Sequence, residues 1–190
     1  GLLAGLPVPI KGLSEVEGVL TTHGSTIYRN NIPETSDHLV ERIEQSGGIV
    51  YAKSNTPEFG SGGNTFNEVF DATRNPWDLR MSAAGSSGGA AAALASGTAW
   101  LAQGSDMGGS LRNPASFCGV VGFRPSPGRV PGGPSATPYA PLAVDGPMAR
   151  DVDDVALFLE AMAGFAAREP RSLAAPKAPC RPAREWLGKP

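Results

Sequence analysis

The chain has 190 residues, of which 41% are apolar and 18% are charged, and its formal net charge at pH 7 is −2. This length suits one domain or part of one, and a charge so close to zero gives no electrostatic reason to expect nucleic acid or an anionic membrane as a partner. The longest apolar run, from Ala90 to Ala102, is interrupted at Ser96 and is shorter than the ~20 residues that cross a bilayer.

Two short apolar runs predict strands in the first part of the chain. They cover residues 6–10 and 49–52, and each is followed at once by a lysine, Lys11 or Lys53. We expect both strands to be buried.

Residues 35–48 lie between these strands and predict an amphipathic helix. Ser36 is the candidate N-cap, and Gly47 is the expected stop. His38 falls in the first turn of this surface helix, where we expect it to be solvated.

Helix and strand signals also alternate in the second part of the chain, which favours an α/β fold. Residues 54–85 are rich in glycine, proline and polar residues, so we predict a long irregular loop there. The elements expected after it are a small-residue helix from near Ser87, strands over 98–104 and 119–126, a proline-rich loop over 125–147, and a helix capped by Asp151 that stops at Gly164.

We divide the chain into a core over residues 1–165 and a linker or severed segment over residues 166–190. The second part carries five prolines and no hydrophobic periodicity. Because a strand signal follows Gly1 almost at once, we expect a piece that is truncated at both ends.

The cysteines and the amino-terminal residues give an expectation about the cellular compartment of the protein. We recognise no signal peptide, and Cys118 and Cys180 are too few for a disulfide framework. We therefore expect a cytoplasmic protein, with Cys118 packed as a small hydrophobe.

Residues 85–89, "GSSGG", match the G-x-S-x-G pattern of a nucleophile elbow with Ser87 at its centre. That fold needs a histidine after the serine, whereas His23 and His38 both precede it. We expect His38 to be solvated and His23 to be structural, so another base is needed.

A desolvated lysine can act as a base, because burial disfavours its charged form. Lys177 and Lys189 lie in the predicted linker, which leaves Lys11 and Lys53 at the ends of apolar strands. The residues alone do not decide which of these two lysines is the base. They also allow that either amine reaches the protein surface and stays charged.

The two glycines before Ser110 can shape a loop whose N–H groups converge on one point, so Met107, Gly108, Gly109 and Ser110 are candidate donors of an oxyanion hole. A plain tight turn is the alternative.

Neither glycine-rich segment contains a G-K-[ST] or G-x-G-x-x-G motif, and no His/Cys spacing suits zinc. We therefore predict neither cofactor nor metal.

Four segments together resemble the amidase signature hydrolases. They are "GLPVPIKG" (5–12), "AKSNTPEFG" (52–60), "NPWDLRMSAAGSSGGAAAALASG" (75–97) and "QGSDMGGSLRNPASFCGVVGFRPSPGRV" (103–130). With "DGPMARDVDDVALFLEAMAG" (145–164), the resemblance covers nearly everything from Gly5 to Gly164. It implies a three-layer α/β/α fold around a mixed sheet, only partly represented because family members are usually more than twice as long.

The resemblance also implies roles for particular residues. Ser110 matches the nucleophile, Ser86 the bridging serine that follows a cis peptide from Gly85, and Lys11 the base. The resemblance implies an oxyanion hole at Met107, Gly108 and Gly109, and supporting positions at Ser87, Asp106 and Arg112, the last two as an ion pair.

The function implied is hydrolysis of a small-molecule carboxylic amide through a serine acyl-enzyme. The alternatives are the glutaminase component of a tRNA-dependent amidotransferase and a non-catalytic fragment that binds small molecules. The segment "NTPEFGSGGNTFNE" resembles general amidases more than that glutaminase component. We also expect that the chain could form a homodimer.

Overall fold

The computed structural model describes residues 1–175 together with residues 177 and 180. Its helices are α1 (His38–Gln45), α2 (Gly88–Ala95), α3 (Arg112–Cys118) and α4 (Val152–Met162). Its strands are β1 (Pro7–Lys11), β2 (Ile49–Ser54), β3 (Phe66–Asn67), β4 (Asp71–Ala72), β5 (Arg74–Asn75), β6 (Asp78–Ser82), β7 (Leu101–Asp106), β8 (Val121–Gly122) and β9 (Val144–Ala149).

The strands form a parallel pair and an antiparallel sheet that meet near Lys11. β1 pairs in parallel with β2, while β9 lies between β7 and β8 in antiparallel order. The Lys11 N–H donates to Gln103 Oε1 over 2.9 Å, so a side chain joins β1 to β7. This bond brings the ends of the two strands together.

Helices cover both faces of the strand layer formed by the parallel pair and the antiparallel sheet. Successive residues of a strand point to opposite faces, so neighbours in one strand pack in different cores. Leu101 and Ala149 pack in one core with α1 and α4. Their neighbours Ala102 and Met148 pack in a second core with α2 and α3. The arrangement is the three-layer α/β/α fold that the resemblance implied.

Several predicted elements are confirmed with small shifts. The N-cap residue of α1 is Asp37 rather than Ser36, whose hydroxyl instead accepts the N–H of Glu17. Asp151 caps α4 as predicted, accepting the Asp154 N–H at 2.8 Å. The expectation of two buried strands is wrong for β2, which lies at the rim with Ile49 56% exposed.

The loops were predicted too long. Residues 54–85 contain the hairpins β3–β4 and β5–β6, and α3 and β9 were both missed. The first turn of α3 holds Pro114, which is tolerated there because it has no helical acceptor to lose. β9 contains Pro147, whose carbonyl still accepts the N–H of Phe123.

The prediction that His38 is solvated is wrong. His38 is only 3% exposed, because the start of α1 packs under the loop at Gly133. The carbonyl of Gly133 accepts the His38 N–H. Within residues 1–175 neither ring nitrogen has a hydrogen-bond partner, and burial lowers the pKa of His38. This is a packed histidine rather than a surface one.

The segment after residue 165 contacts the core as far as it is described. The Leu173 N–H donates to Gly128 O, and Glu169 is buried beside Arg171. The linker prediction for residues 176, 178, 179 and 181–190 lies outside the described residues. Across the described ranges, no helix has the length and apolar content to cross a membrane.

Phe158 tests the packing of α4, because its side chain is fully buried while Val152 in the same helix is 59% exposed. We expect Phe158→Ala to lower the free energy of unfolding by about 3 to 5 kcal/mol, through lost transfer energy and a residual cavity. Val152→Ala is the matched control and should change it by less than about 0.5 kcal/mol. Urea denaturation gives both values, and equal effects would contradict this packing.

Candidate active site

Lys11 lies at the carboxyl end of β1, and its side chain is completely buried. Its amine nitrogen lies 2.7 Å from Ser86 Oγ, 2.9 Å from Ser87 Oγ and 2.9 Å from Ser105 Oγ. Three hydroxyls from two separate segments therefore surround one amine. By contrast, Lys53 on β2 donates to the carbonyl of Ser14.

Burial lowers the pKa of Lys11 to about 7, against opposing contributions from the carboxylates of Asp145 and Asp106. The amine is therefore substantially neutral near physiological pH. A neutral amine has two N–H donors and one lone pair, so at least one of the three hydroxyls must donate to it.

The partners of Ser87 exclude one of the three hydroxyls as this donor. Ser87 Oγ donates to the carbonyl of Ser105 at 3.2 Å and receives the Ser105 N–H at 3.3 Å. Its own proton is thereby committed. Ser86 Oγ, which makes the shortest contact with Lys11, is well placed to donate to the lone pair.

Ser86 and Ser87 stand at the entry of α2. The peptide bond between Gly85 and Ser86 is cis, as the resemblance implied, and Ser87 is the N-cap residue of the helix. Both serines are buried. The Gly88 N–H donates to Thr65 Oγ1, which ties the helix start to the preceding loop.

Ser110 lies beside this pair and is partly exposed. Its carbonyl accepts the Ser87 N–H at 3.2 Å. Among the hydrogen bonds of residues 1–175, none joins Ser110 Oγ to Ser86 or Lys11. The structure thus brings Lys11 and Ser86 into contact and holds Ser110 next to them through the backbone.

Asp106 organises the loop that carries Ser110. The carboxylate is fully buried and accepts the N–H groups of Gly109 at 2.8 Å and Leu111 at 3.1 Å. Arg112 and Arg124 pair with it at 3.0 and 3.1 Å. Burial alone would raise the pKa of Asp106, but the hydrogen bonds from Arg112 and the two amides outweigh it and hold the pKa well below its usual range.

These bonds confirm the predicted Asp106–Arg112 pair and change one expectation about the oxyanion hole. The Gly109 N–H is engaged by Asp106, so it is not a free donor in this structure. Gly109 instead serves the shape of the loop, since its φ is +119° and a Cβ would lie 2.7 Å from Asn113 Nδ2. Within the described part of the chain, the N–H groups of Met107, Gly108 and Ser110 have no partner.

A family model described as Amidase matches residues 1–187. The chain belongs to the amidase signature family. The glutamyl-tRNA(Gln) amidotransferase A subunit from Moorella thermoacetica is 47% identical over 164 residues, which cover 86% of this chain and 34% of that relative. The chain thus spans about one third of the length of the curated relatives it matches.

Solved structures agree with the family assignment. A bacterial aryl acylamidase superposes with a TM-score of 0.86 at 35% identity, covering 92% of this chain and 37% of that one. The peptide amidase from Stenotrophomonas maltophilia gives a TM-score of 0.81 at 30% identity, covering 94% and 37%.

Three residues around Lys11 were missed from the sequence. Ser105 contacts the Lys11 amine, Gln103 accepts the Lys11 N–H, and Asp145 accepts from Gln103 Nε2 at 2.9 Å. Gln103 and Ser105 are two apart in β7 and so share a face, a signal that the polar residues of a buried strand could have given. Nothing local to Asp145 pointed to β1.

The buried amine should make stability depend on pH. Between the folded pKa of about 7 and the unfolded value of 10.5, the unfolded state binds more protons at Lys11. The free energy of unfolding therefore rises with pH in this window, by about 2 kcal/mol from pH 7 to 9. Lys11→Met removes this rise.

Guanidinium denaturation of the protein and of Lys11→Met at pH 7, 8 and 9 measures the difference. The exposed Lys177→Met is the matched control and should follow the unaltered protein. A constant difference between the protein and Lys11→Met at all three pH values would mean that folding does not lower the pKa of Lys11.

Proposed function

We propose that this chain carries the catalytic centre of an amidase that hydrolyses a small-molecule carboxylic amide through an acyl-enzyme on Ser110. The observation that carries the proposal is the 2.7 Å contact between the buried Lys11 Nζ and Ser86 Oγ. Membership of the amidase signature family supports it independently.

Acylation begins with a neutral Lys11. As Ser110 Oγ attacks the amide carbon, its proton passes to Ser86 Oγ, and the proton of Ser86 passes to Lys11 Nζ. The carbonyl oxygen becomes an oxyanion. When this tetrahedral intermediate collapses, the carbon–nitrogen bond breaks and the nitrogen receives a proton back from Lys11 through Ser86, so ammonia or an amine leaves.

Deacylation repeats the same proton path with water as the nucleophile. Water attacks the Ser110 ester, Lys11 takes a proton through Ser86, and collapse releases the acid while Ser110 regains its proton. Lys11 is again neutral at the end. Because the Ser110 hydroxyl has no hydrogen bond to Ser86 in this structure, its oxygen has to come within hydrogen-bonding distance of Ser86 Oγ before attack.

The oxyanion needs donors that already point at it. Met107, Gly108 and Ser110 offer unpaired N–H groups, within the described residues, in a loop that Asp106 holds from behind. Each such donor typically contributes about 10² to 10³ in rate. Gly108 is exposed with open space around it, so a substrate can approach this side of the loop.

A second candidate is the glutaminase reaction of an amidotransferase, in which the amide is that of glutamine. It is favoured by the 47% identity to the amidotransferase protein of Moorella thermoacetica. The two candidates share every step above and differ in substrate and in the need for a partner protein.

Serine labelling tests the nucleophile. A fluorophosphonate probe should add to Ser110, and Ser110→Ala should abolish both labelling and ammonia release from a panel of simple amides that includes glutamine. Ser116→Ala, an exposed serine of α3, is the matched control and should retain both. A probe that labels Ser87, or ammonia release that survives Ser110→Ala, would rule out this mechanism. Turnover of glutamine alone would select the second candidate.

The pH profile tests the base. Since burial lowers the pKa of Lys11 to about 7, kcat/KM should rise with pH through about 7 and then level off as the amine loses its proton. Lys11→Arg keeps the charge at every pH and should lower kcat/KM by about 10³ or more. A profile that is flat from pH 6 to 9, or an active Lys11→Arg, would exclude Lys11 as the base.

A further inference from the structure

Asp145 is linked to Lys11 through Gln103 and Ser105, although no step of the proposed reaction uses it. In the β7–β9 ladder it stands directly opposite Ser105, whose hydroxyl contacts Lys11 Nζ. Directly opposed residues of antiparallel strands project from the same face of the sheet. The carboxylate of Asp145 therefore shares a face with the hydroxyl that holds the amine.

Gln103 fixes the orientation of this carboxylate. Its Oε1 has to face Lys11, because the Lys11 backbone N–H can only donate. The Nε2 group then points the other way and donates to Asp145 Oδ1 at 2.9 Å. Gln103 is completely buried, so the amide cannot turn without leaving buried groups unpaired.

The other oxygen of Asp145 lies against a glycine. A Cβ at Gly132 would stand only 3.2 Å from Asp145 Oδ2. Both residues line a cavity of about 290 Å³ that also includes Ser105, Asp37 and Glu169. Asp145 is therefore held between Gln103 and Gly132 at the wall of a cavity that Ser105, a contact of the amine, also lines.

The charged groups that face Lys11 and Asp145 come from several elements. They are Asp106 at the end of β7, Asp37 before α1, and Glu169 and Arg171 after α4. Arg112 and Arg124 neutralise Asp106, and Arg171 pairs with Glu169. Among the described residues Asp145 has no arginine partner, so its charge acts on Lys11 with little compensation.

We propose that Asp145, oriented by Gln103, is a positioning residue that sets the charge state of the Lys11 amine. The inference rests on the proposed function for its catalytic meaning. The direction of the electrostatic coupling supports it: Asp145 raises the pKa of Lys11, and Lys11 in turn lowers the pKa of Asp145, which burial raises to about 6. The carboxylate thus opposes the burial that would otherwise neutralise the amine at lower pH.

Lysine NMR tests the coupling without relying on turnover. The chain has only four lysines, so the Cε signals of ¹³C-lysine can be assigned by substitution. In Asp145→Asn the titration midpoint of Lys11 should fall by about one pH unit. Asp145→Ala should shift it in the same direction and serves if the first variant does not fold.

Asp37→Asn is the matched control in the same cavity. Asp37 raises the pKa of Lys53 and is not among the groups that shift Lys11. The control should therefore lower the midpoint of Lys53 and leave that of Lys11 in place. A Lys11 midpoint that is unmoved in both Asp145 variants would overturn the proposal.

Kinetics separate this inference from the proposed function. If Lys11 is the base, the acidic limb of kcat/KM in Asp145→Asn should move to lower pH by the same amount as the NMR midpoint. A shifted midpoint in a protein without Ser110-dependent turnover would support the coupling and contradict the proposed function. Turnover with an unmoved limb and an unmoved midpoint would contradict the coupling alone.

Discussion

The desolvation of one lysine is the constraint on which the site depends. An isolated ammonium would be costly in this interior, so Lys11 is stable there only with a lowered proton affinity and with polar partners. The three hydroxyls supply those partners, and they come from Ser86 and Ser87 at the entry of α2 and from Ser105 on β7. A neutral amine cannot donate to all three at once, and this shortage of N–H groups leaves its lone pair for a hydroxyl proton.

A second buried charge shapes the neighbouring loop without making it negative. Asp106 gathers two backbone N–H groups and two guanidinium groups, so its charge is compensated where it lies. The free donors at Met107, Gly108 and Ser110 then lie in a loop whose local field does not repel an oxyanion. Both carboxylates raise the pKa of Lys11, but they differ in their partners: Asp106 pairs with two arginines, whereas Asp145 has no arginine partner among the described residues.

Sequence reasoning reached the residues that follow recognisable local signals. The apolar run before Lys11 made it a candidate base, and the family resemblance favoured it over Lys53. Asp151 was predicted as a helix N-cap from its position before an apolar run. Asp145 could not be found this way, because its relation to Lys11 arises from the register of β9 against β7 and from a glutamine between strands. The prediction that His38 is solvated was wrong for a similar reason, since the loop that buries it is about 95 residues away in sequence.

The groups of the proposed relay and the exposed loop beside them are built differently, and this difference bears on substrate choice. Lys11 and Ser86 are buried and in hydrogen-bonding contact, so their arrangement does not depend on what the amide carries. Met107 and Gly108 are exposed, and nothing within the described residues closes over them. A chain that spans one third of its relatives can therefore hold the proposed relay while leaving the acyl group unspecified. An aryl acylamidase, a peptide amidase and a glutamyl-tRNA(Gln) amidotransferase A subunit all contain a similar segment. This is expected if the buried groups fix the chemistry and the surface around them selects the substrate.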